Sequence, residues 1–95
     1  MKPVWSRPAI RDLVALRGHI AKDSEEMAAV VASRILKAID LLQNQPEMGR
    51  AGRVLGTREL VVASYVIPYR LRHGRLELVA IFQSRQRWPA KFGSE

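Results

Sequence analysis

Cysteine is absent from the 95-residue sequence, so disulfide bonds and thiolate metal sites are excluded. Histidine occurs only at His19 and His73, too far apart to form a ligand cluster, and we expect neither a metal nor another cofactor. No run approaches the roughly 18 apolar residues of a membrane span, and the N-terminus lacks the long apolar segment of a signal peptide. We therefore expect a cytoplasmic protein without membrane contact.

Repeats and linker-like stretches are also missing, and the length is that of one small domain, so we predict a single domain over residues 1–95. The glycines of the central loop, Gly49, Gly52 and Gly56, are not followed by the Lys-Ser/Thr of a phosphate-binding loop. They are more typical of turns.

Positive charge is plentiful and unevenly distributed. The formal net charge is +7, and residues 50–95 hold nine Lys and Arg against three acidic residues, a net +6. Eight of those nine cations are arginine, which suits forked contacts to phosphate or carboxylate. The pattern indicates an anionic partner, either a nucleic acid or an acidic protein segment. A basic surface that serves only solubility is the weaker interpretation, because lysine is the usual cation for that purpose.

The stretch 65–89, YVIPYRLRHGRLELVAIFQSRQRWP, predicts two strands joined by a two-residue turn at His73-Gly74. That turn places Arg70 opposite Glu77, a favourable cross-strand pair. Period-2 alternation then assigns one face of the hairpin to the core. The residues predicted for the core face are Tyr65, Ile67, Tyr69, Leu71, Leu76, Leu78, Ala80 and Phe82.

Two helices are predicted before this hairpin. Ser6 is placed to cap a helix that begins near Pro8 and ends between Ile20 and Lys22, and either Asp23 or Ser24 is placed to cap the second. Helical spacing predicts buried stripes on both. The predicted stripe residues are Ile10, Leu13, Leu16 and Ile20 in the first helix, and Ala28, Val31, Ile35, Ala38, Ile39 and Leu42 in the second.

The remaining segments predict further strands. Val4-Trp5 predicts a short edge strand, residues 57–62 a longer one, and Val54-Leu55 a brief pairing in the loop between. Glu59 is placed to pair with a neighbouring arginine. A run of helices followed by a run of strands indicates an α+β fold. We expect an N-terminal strand and an antiparallel two-helix hairpin packed on a twisted antiparallel β-sheet.

Four segments in this order, P-E-M-G-R, G-T-R-E-L-V-V, Y-V-I-P-Y-R-L and S-R-Q-R-W-P, resemble the RelE/ParE superfamily, the toxins of bacterial type II toxin–antitoxin pairs. The resemblance covers about Val4 to Pro89. It implies the same helical hairpin on a twisted sheet. It also implies a cognate antitoxin, whose toxin-binding segment we expect to be amphipathic and acidic.

The superfamily divides by mechanism, and the resemblance favours the ParE-like side. RelE-like members cut mRNA on the ribosome and often have Tyr-Arg at the start of the third strand, where this chain has Tyr65-Val66. ParE-like members inhibit DNA gyrase by protein contact. After Arg85 only Trp88 and Phe92 are aromatic, whereas the ribonucleases tend to have Tyr or His there. Against this, Phe82-Gln83-Ser84 lacks the His that many ParE-like chains carry.

The candidate site residues follow from these two alternatives. A gyrase inhibitor needs no catalytic residue, and we expect its target and antitoxin to contact Arg58, Arg85, Arg87 and Trp88. A ribonuclease acting on the ribosome and mRNA would instead use Arg53, Arg58 and Arg85 to stabilise the phosphorane. Trp88 is either an anchor for a partner or a cap on the core. Specific DNA binding is not expected without the antitoxin. A third interpretation is a degenerate toxin or a small basic RNA-binding accessory protein, in which charge gives non-specific affinity for phosphate.

Overall fold

The computed structural model describes residues 2–85, 88, 89 and 92, and forms two helices packed on one sheet. The elements in chain order are β1 (Pro3–Trp5), α1 (Arg7–Ala21), α2 (Glu25–Leu41), β2 (Arg50–Ala51), β3 (Arg58–Val62), β4 (Tyr65–Arg72), β5 (Arg75–Leu78) and β6 (Phe82–Gln83). Within the described residues, no helix is long and apolar enough to cross a membrane.

Helix α1 begins where the sequence predicts. The Ser6 side chain accepts a hydrogen bond from the Ala9 amide at 3.1 Å and so caps the first turn. Ala9 and Leu16 are buried. The expectation that Ile10 joins the buried stripe is wrong, because it is 50% exposed. Ala9 takes that place, one residue and therefore about 100° around the helix.

Helix α2 is capped by Ser24, whose hydroxyl accepts from the Met27 amide at 3.1 Å, so of the two predicted caps Ser24 is the one used. The predicted stripe is confirmed. Ala28, Ile35 and Ile39 are buried in α2, and Leu42 is buried just after it. Together with the buried residues of α1 and the sheet, the large members of this stripe form the core.

The strands follow the order β1-β5-β4-β3-β2, with β6 also paired to β4. All pairings are antiparallel except that β1 lies parallel to β5. The predicted pairing of Val54-Leu55 is wrong. Arg50–Ala51 pairs with β3 instead, because the Val54 carbonyl accepts the amide and hydroxyl of Thr57 in a tight turn.

The β4–β5 hairpin has the predicted turn and register. His73 and Gly74 both have positive φ, 54° and 71°, as a two-residue hairpin turn of the primed type requires. Arg70 lies opposite Glu77, and Leu71 opposite Leu76. Leu71 nevertheless is 52% exposed and not in the core. Strand β3 pairs with β4 only up to Tyr69, so Leu71 has no neighbouring strand on that side.

The predicted position of Phe82 on the core face is also wrong. Tyr69 pairs with Leu78, and Val66 pairs with Phe82. Between these pairs β4 has two residues, 67 and 68, whereas the opposite segment has three, 79–81. This bulge at residues 79–81 reverses the alternation. Ile81 therefore joins the core, and Phe82 lies on the opposite sheet face with Val66.

The bulge is held by the start of α1. The Ser6 hydroxyl donates to the Val79 carbonyl at 2.8 Å, and the Asp12 carboxylate accepts from the Ile81 amide at 2.9 Å. The extra residue is thus hydrogen-bonded although it leaves the ladder. We call the sheet surface directed away from the helices the outer face. By alternation it carries Val4, Glu59, Val61, Val66, Pro68, Arg70, Arg72, Arg75, Glu77 and Phe82.

Candidate interaction surface

Glu59 lies at the centre of the outer face and binds two arginines. Its carboxylate is 2% exposed. One oxygen accepts from Nε and Nη2 of Arg50 at 3.0 and 2.9 Å, and the other accepts from the backbone N–H and Nε of Arg53 at 2.8 and 3.0 Å. The prediction that Glu59 pairs with an arginine is confirmed, but the partners are Arg50 and Arg53 and not Arg58, the arginine next to it in sequence. The side chains of Arg50 and Arg53 remain 56% and 43% exposed.

The charge state of Glu59 follows from these contacts. Burial alone would raise the pKa of the carboxyl group, but hydrogen bonds from the Arg53 backbone and side chain and from Arg50 hold the pKa below its ordinary value. The group is therefore an ionised acceptor with both oxygens occupied. Such a carboxylate is a weak proton acceptor in catalysis.

A second carboxylate repeats this arrangement near the hairpin turn. Glu77 accepts from Nε of Arg70 at 2.9 Å and forms an ion pair with Nε of Arg72 at 3.1 Å. Burial again acts to raise the pKa of Glu77, and the Arg70 hydrogen bond and the Arg72 charge lower it further than burial raises it. Each carboxylate of the outer face thus orients two arginines and leaves a net positive charge.

Three aromatic rings cover part of the outer face. The ring centroids of Phe82 and Trp88 are 4.6 Å apart, and Phe92 lies 6.2 and 6.3 Å from them. The guanidinium carbon of Arg53 lies 3.8 Å from the centroid of the Trp88 ring, a cation–π contact. The Trp88 ring therefore packs against Phe82 and Arg53 on the sheet, and its Nε1 is buried without an acceptor among the described residues.

The loop after α2 is held by a buried tyrosine. The Tyr69 hydroxyl donates to the Pro46 carbonyl at 2.7 Å and accepts from the Gly49 amide at 2.9 Å. Arg58 holds the same loop, because its Nη1 donates to the carbonyls of Glu47 and Gly49 at 3.3 and 2.8 Å. These contacts place β2, and with it Arg50, at the edge of the sheet.

The predicted site residues are thus not one cluster. Arg53 and Trp88 are in contact, whereas Arg58 binds loop carbonyls on the helix side of the sheet. Arg85 is exposed after β6, and Arg87 lies outside the described residues. Their roles in binding stay predictions. Arg50 was not selected as a site residue from the sequence, although it is one of the cations suited to stabilising charge; its ion pair with Glu59 is what places it on this surface.

The helix side carries exposed apolar surface next to basic residues. A groove along α2 is bordered by Leu36, Leu41 and Lys37, and Leu36 and Leu41 are 47% and 54% exposed. Beside it, β2 pairs with Arg58 and Glu59 only. The remaining edge of β3 therefore carries no strand among the described residues, and Val61 on it is 51% exposed.

Metal ligands are not grouped anywhere in the described residues. His73 occupies the hairpin turn, and His19 is exposed on α1. The outer face is therefore a surface of oriented arginines and packed aromatic rings, and its chemistry is that of anion and carboxylate binding.

The comparisons with known proteins agree with this architecture. A model of the ParE toxin of the type II toxin–antitoxin system parDE matches residues 4–88. Among curated proteins, the candidate toxin Y4kP of Sinorhizobium fredii is 40% identical over 87 residues, 90% of each chain. Toxin RelE2 of Caulobacter vibrioides is 36% identical over 78 residues, 82% of this chain and 89% of that protein.

A solved structure of the chromosomal ParDE toxin–antitoxin system from P. aeruginosa contains a chain with the same fold. The TM-score is 0.78 at 25% identity, over 87% of this chain and 95% of that one. The family model covers nearly all of the described sheet and both helices. The chain therefore belongs to the ParE family of toxins of type II toxin–antitoxin systems.

Proposed function

We propose that the protein acts in the cytoplasm as a ParE-like toxin that inhibits DNA gyrase by protein contact, without catalysis of its own. The observation that supports this proposal is that two of the three arginines a ribonuclease would use, Arg53 and Arg58, are already bound within the protein. Arg53 is bound to Glu59 and stacked on Trp88, and Arg58 is bound to two carbonyls. Arg53 lies on the outer face and Arg58 on the helix side of the sheet. The two side chains therefore do not converge on one space where a scissile phosphate would bind.

The described residues also offer no free side chain suited to proton transfer beside these arginines. Cleavage by 2′-OH attack needs a base and an acid beside the phosphate. Glu59 is saturated with donors, and the Tyr69 hydroxyl is buried with a donor and an acceptor already bound. His73 lies at the hairpin turn. A RelE-like ribonuclease is the second candidate, favoured by the similarity to toxin RelE2.

Two assays on the protein purified without antitoxin separate these candidates. We expect inhibition of gyrase supercoiling and no cleavage of mRNA on programmed ribosomes. Cuts in the A-site codon that disappear in Arg85→Ala would reject the gyrase proposal. A variant with Arg11→Gln and Lys22→Gln, both exposed and neither among the predicted site residues, controls for loss of charge.

For the antitoxin we propose an acidic amphipathic segment. Its apolar side chains would fill the α2 groove at Leu36 and Leu41 and the β3 edge at Val61, where burial supplies most of the affinity. Its carboxylates would form forked contacts with Arg85 and Arg87, and Arg58 is the third candidate.

Binding kinetics across a salt series test this arrangement. Rim charges act mainly on the association rate, so Arg85→Glu with Arg87→Glu should slow association, and Leu41→Ala should speed dissociation. Toxicity should also fall in the double variant if the target uses the same surface. An unchanged association rate with toxicity intact would show that the end of the chain is only a solvated surface.

A further inference from the structure

The end of the sheet beside the β4–β5 turn concentrates positive charge on the outer face. We call this surface the hairpin tip and define it by Lys2, Arg70, Arg72, Arg75 and Glu77. Arg72 lies directly opposite Arg75. Pro3 pairs with Leu76 in parallel register, so the register brings Lys2 alongside Arg75. Glu77 is the single acidic residue between positions 60 and 94.

This arrangement costs stability unless an anion is present. Like charges directly opposite one another on two strands are destabilising, and Arg72 and Arg75 are such a pair. Glu77 compensates in part, because it binds Arg70 and Arg72 and fixes both guanidinium groups. Lys2 and Arg75 remain exposed. The tip thus carries a net charge of +3, held partly in fixed orientations before any ligand binds.

A protein partner suits this surface poorly. Stable protein interfaces have an apolar or aromatic centre from which charged residues are depleted. Beside the turn two large apolar side chains are exposed, Leu71 on the helix side of the sheet and Val4 opposite Glu77, and the turn residues 72–75 are Arg, His, Gly and Arg. Affinity must therefore come from charge. A phosphodiester backbone supplies charge at high density, and cations that bind it gain affinity by releasing its counterions.

We propose that the hairpin tip binds the phosphate backbone of duplex DNA without reading its sequence. The phosphate chemistry is common to DNA and RNA, and the choice of DNA rests on the proposed function, since gyrase acts on DNA. In that setting the toxin contacts gyrase through one surface and the DNA beside it through another. The proposal is compatible with the expectation that specific DNA binding needs the antitoxin, because backbone contacts carry no sequence information.

The test is fluorescence anisotropy with the full chain, free of antitoxin, and a short labelled DNA duplex of mixed sequence. Measurements between about 50 and 200 mM salt give the slope of log K against log salt, about −0.9 for each phosphate contact. Lys2→Gln with Arg75→Gln should make the slope shallower by about 1.8. The control variant, Arg11→Gln with Lys22→Gln, removes one Arg and one Lys outside the hairpin tip and should leave the salt slope unchanged. Lys2→Arg with Arg75→Lys should bind as the parent protein does.

Three results would overturn the proposal. The first is an equal loss in both glutamine variants, which would mean that total charge alone matters. The second is displacement of the duplex by poly-glutamate as effectively, per charge, as by unlabelled DNA, which would indicate an acidic protein. The third is tighter binding of an RNA duplex of the same sequence. Gyrase is absent from this assay, so the absence of DNA binding would reject the proposal for the hairpin tip only. Inhibition of gyrase is measured separately, by the supercoiling assay.

Discussion

Arg53 joins two parts of the outer face: its Nε donates to Glu59 at 3.0 Å while its guanidinium carbon lies 3.8 Å from the centre of the Trp88 ring. A buried carboxylate on β3 thereby fixes the position of an aromatic ring that follows β6. The contact is long-range in sequence and depends on the conformation of the loop between β2 and β3. It makes the placement of Trp88 sensitive to a residue that Trp88 does not touch.

Replacing Glu59 with Gln should loosen Trp88. The amide cannot hold both arginines, so Arg53 loses its fixed orientation, and the variant should lose about 1–3 kcal/mol of unfolding free energy. In a Trp5→Phe background, which leaves Trp88 as the one fluorophore of its type, acrylamide quenching of its emission should increase. Glu77→Gln breaks the equivalent pair near the turn and should leave quenching unchanged. Equal quenching in the two variants would contradict the role of Glu59.

Acid should destabilise the fold through the same carboxylates. The pKa values of Glu59 and Glu77 are lowered in the folded state, so the unfolded chain takes up their protons first as the pH falls. Their contribution is complete above the ordinary glutamate value of about 4.3 and is lost as the pH falls through the folded-state values. Urea melts at successive pH values should show this loss. The loss should be smaller in Glu59→Gln, and an identical pH profile would contradict the assignment.

Tyr69→Phe should be costly although the ring is unchanged. The hydroxyl binds the Pro46 carbonyl and the Gly49 amide, and its removal leaves two buried backbone groups without partners, at a cost of about 1–3 kcal/mol each. Tyr65 is also buried, but its hydroxyl has no hydrogen bond to the described residues. Tyr65→Phe should therefore change the denaturant midpoint little, and a similar loss in both variants would contradict this account.

Two glycine-to-alanine changes should have opposite signs. A Cβ at Gly49 would lie 2.7 Å from the Tyr69 ring and hydroxyl and 2.9 Å from the Glu59 carbonyl, so Gly49→Ala must displace the loop and destabilise the fold. A Cβ at Gly18, inside α1, meets nothing within 4 Å. Gly18→Ala should stabilise by about 0.5–1 kcal/mol, because alanine loses less conformational freedom in a helix. Thermal melts of the two variants decide the matter.

Local patterns predicted most of this fold because they act over short distances. The caps at Ser6 and Ser24, the stripe through Ile35 and Ile39, and the turn at His73-Gly74 each depend on neighbours in sequence. Period-2 alternation failed at Phe82, because it carries no signal for an inserted residue. The bulge depends on Asp12 and Ser6, about seventy positions away, and no local rule reports such a partner.

The candidate surface was less predictable for the same reason. Arg53 and Trp88 were singled out separately, but their contact requires the chain after β6 to return over the outer face. The pairing of Arg50 with Glu59 was not predicted, because it depends on the pairing of β2 with β3. Composition identified the correct residue type, and the sheet topology decided which arginines share a carboxylate.

The parallel pairing of β1 with β5 has a consequence for synthesis. Pro3–Trp5 is synthesised well before Arg75–Leu78 and can pair only when that strand has been made. The Ser6 hydroxyl likewise has no acceptor until Val79, 73 residues later, has been made. A nascent or prematurely terminated chain that stops before β5 therefore leaves its first strand unpaired and its outer face unassembled. Because the two ends of so long a loop form no contact until both have been made, the outer face can assemble only after translation has passed β6.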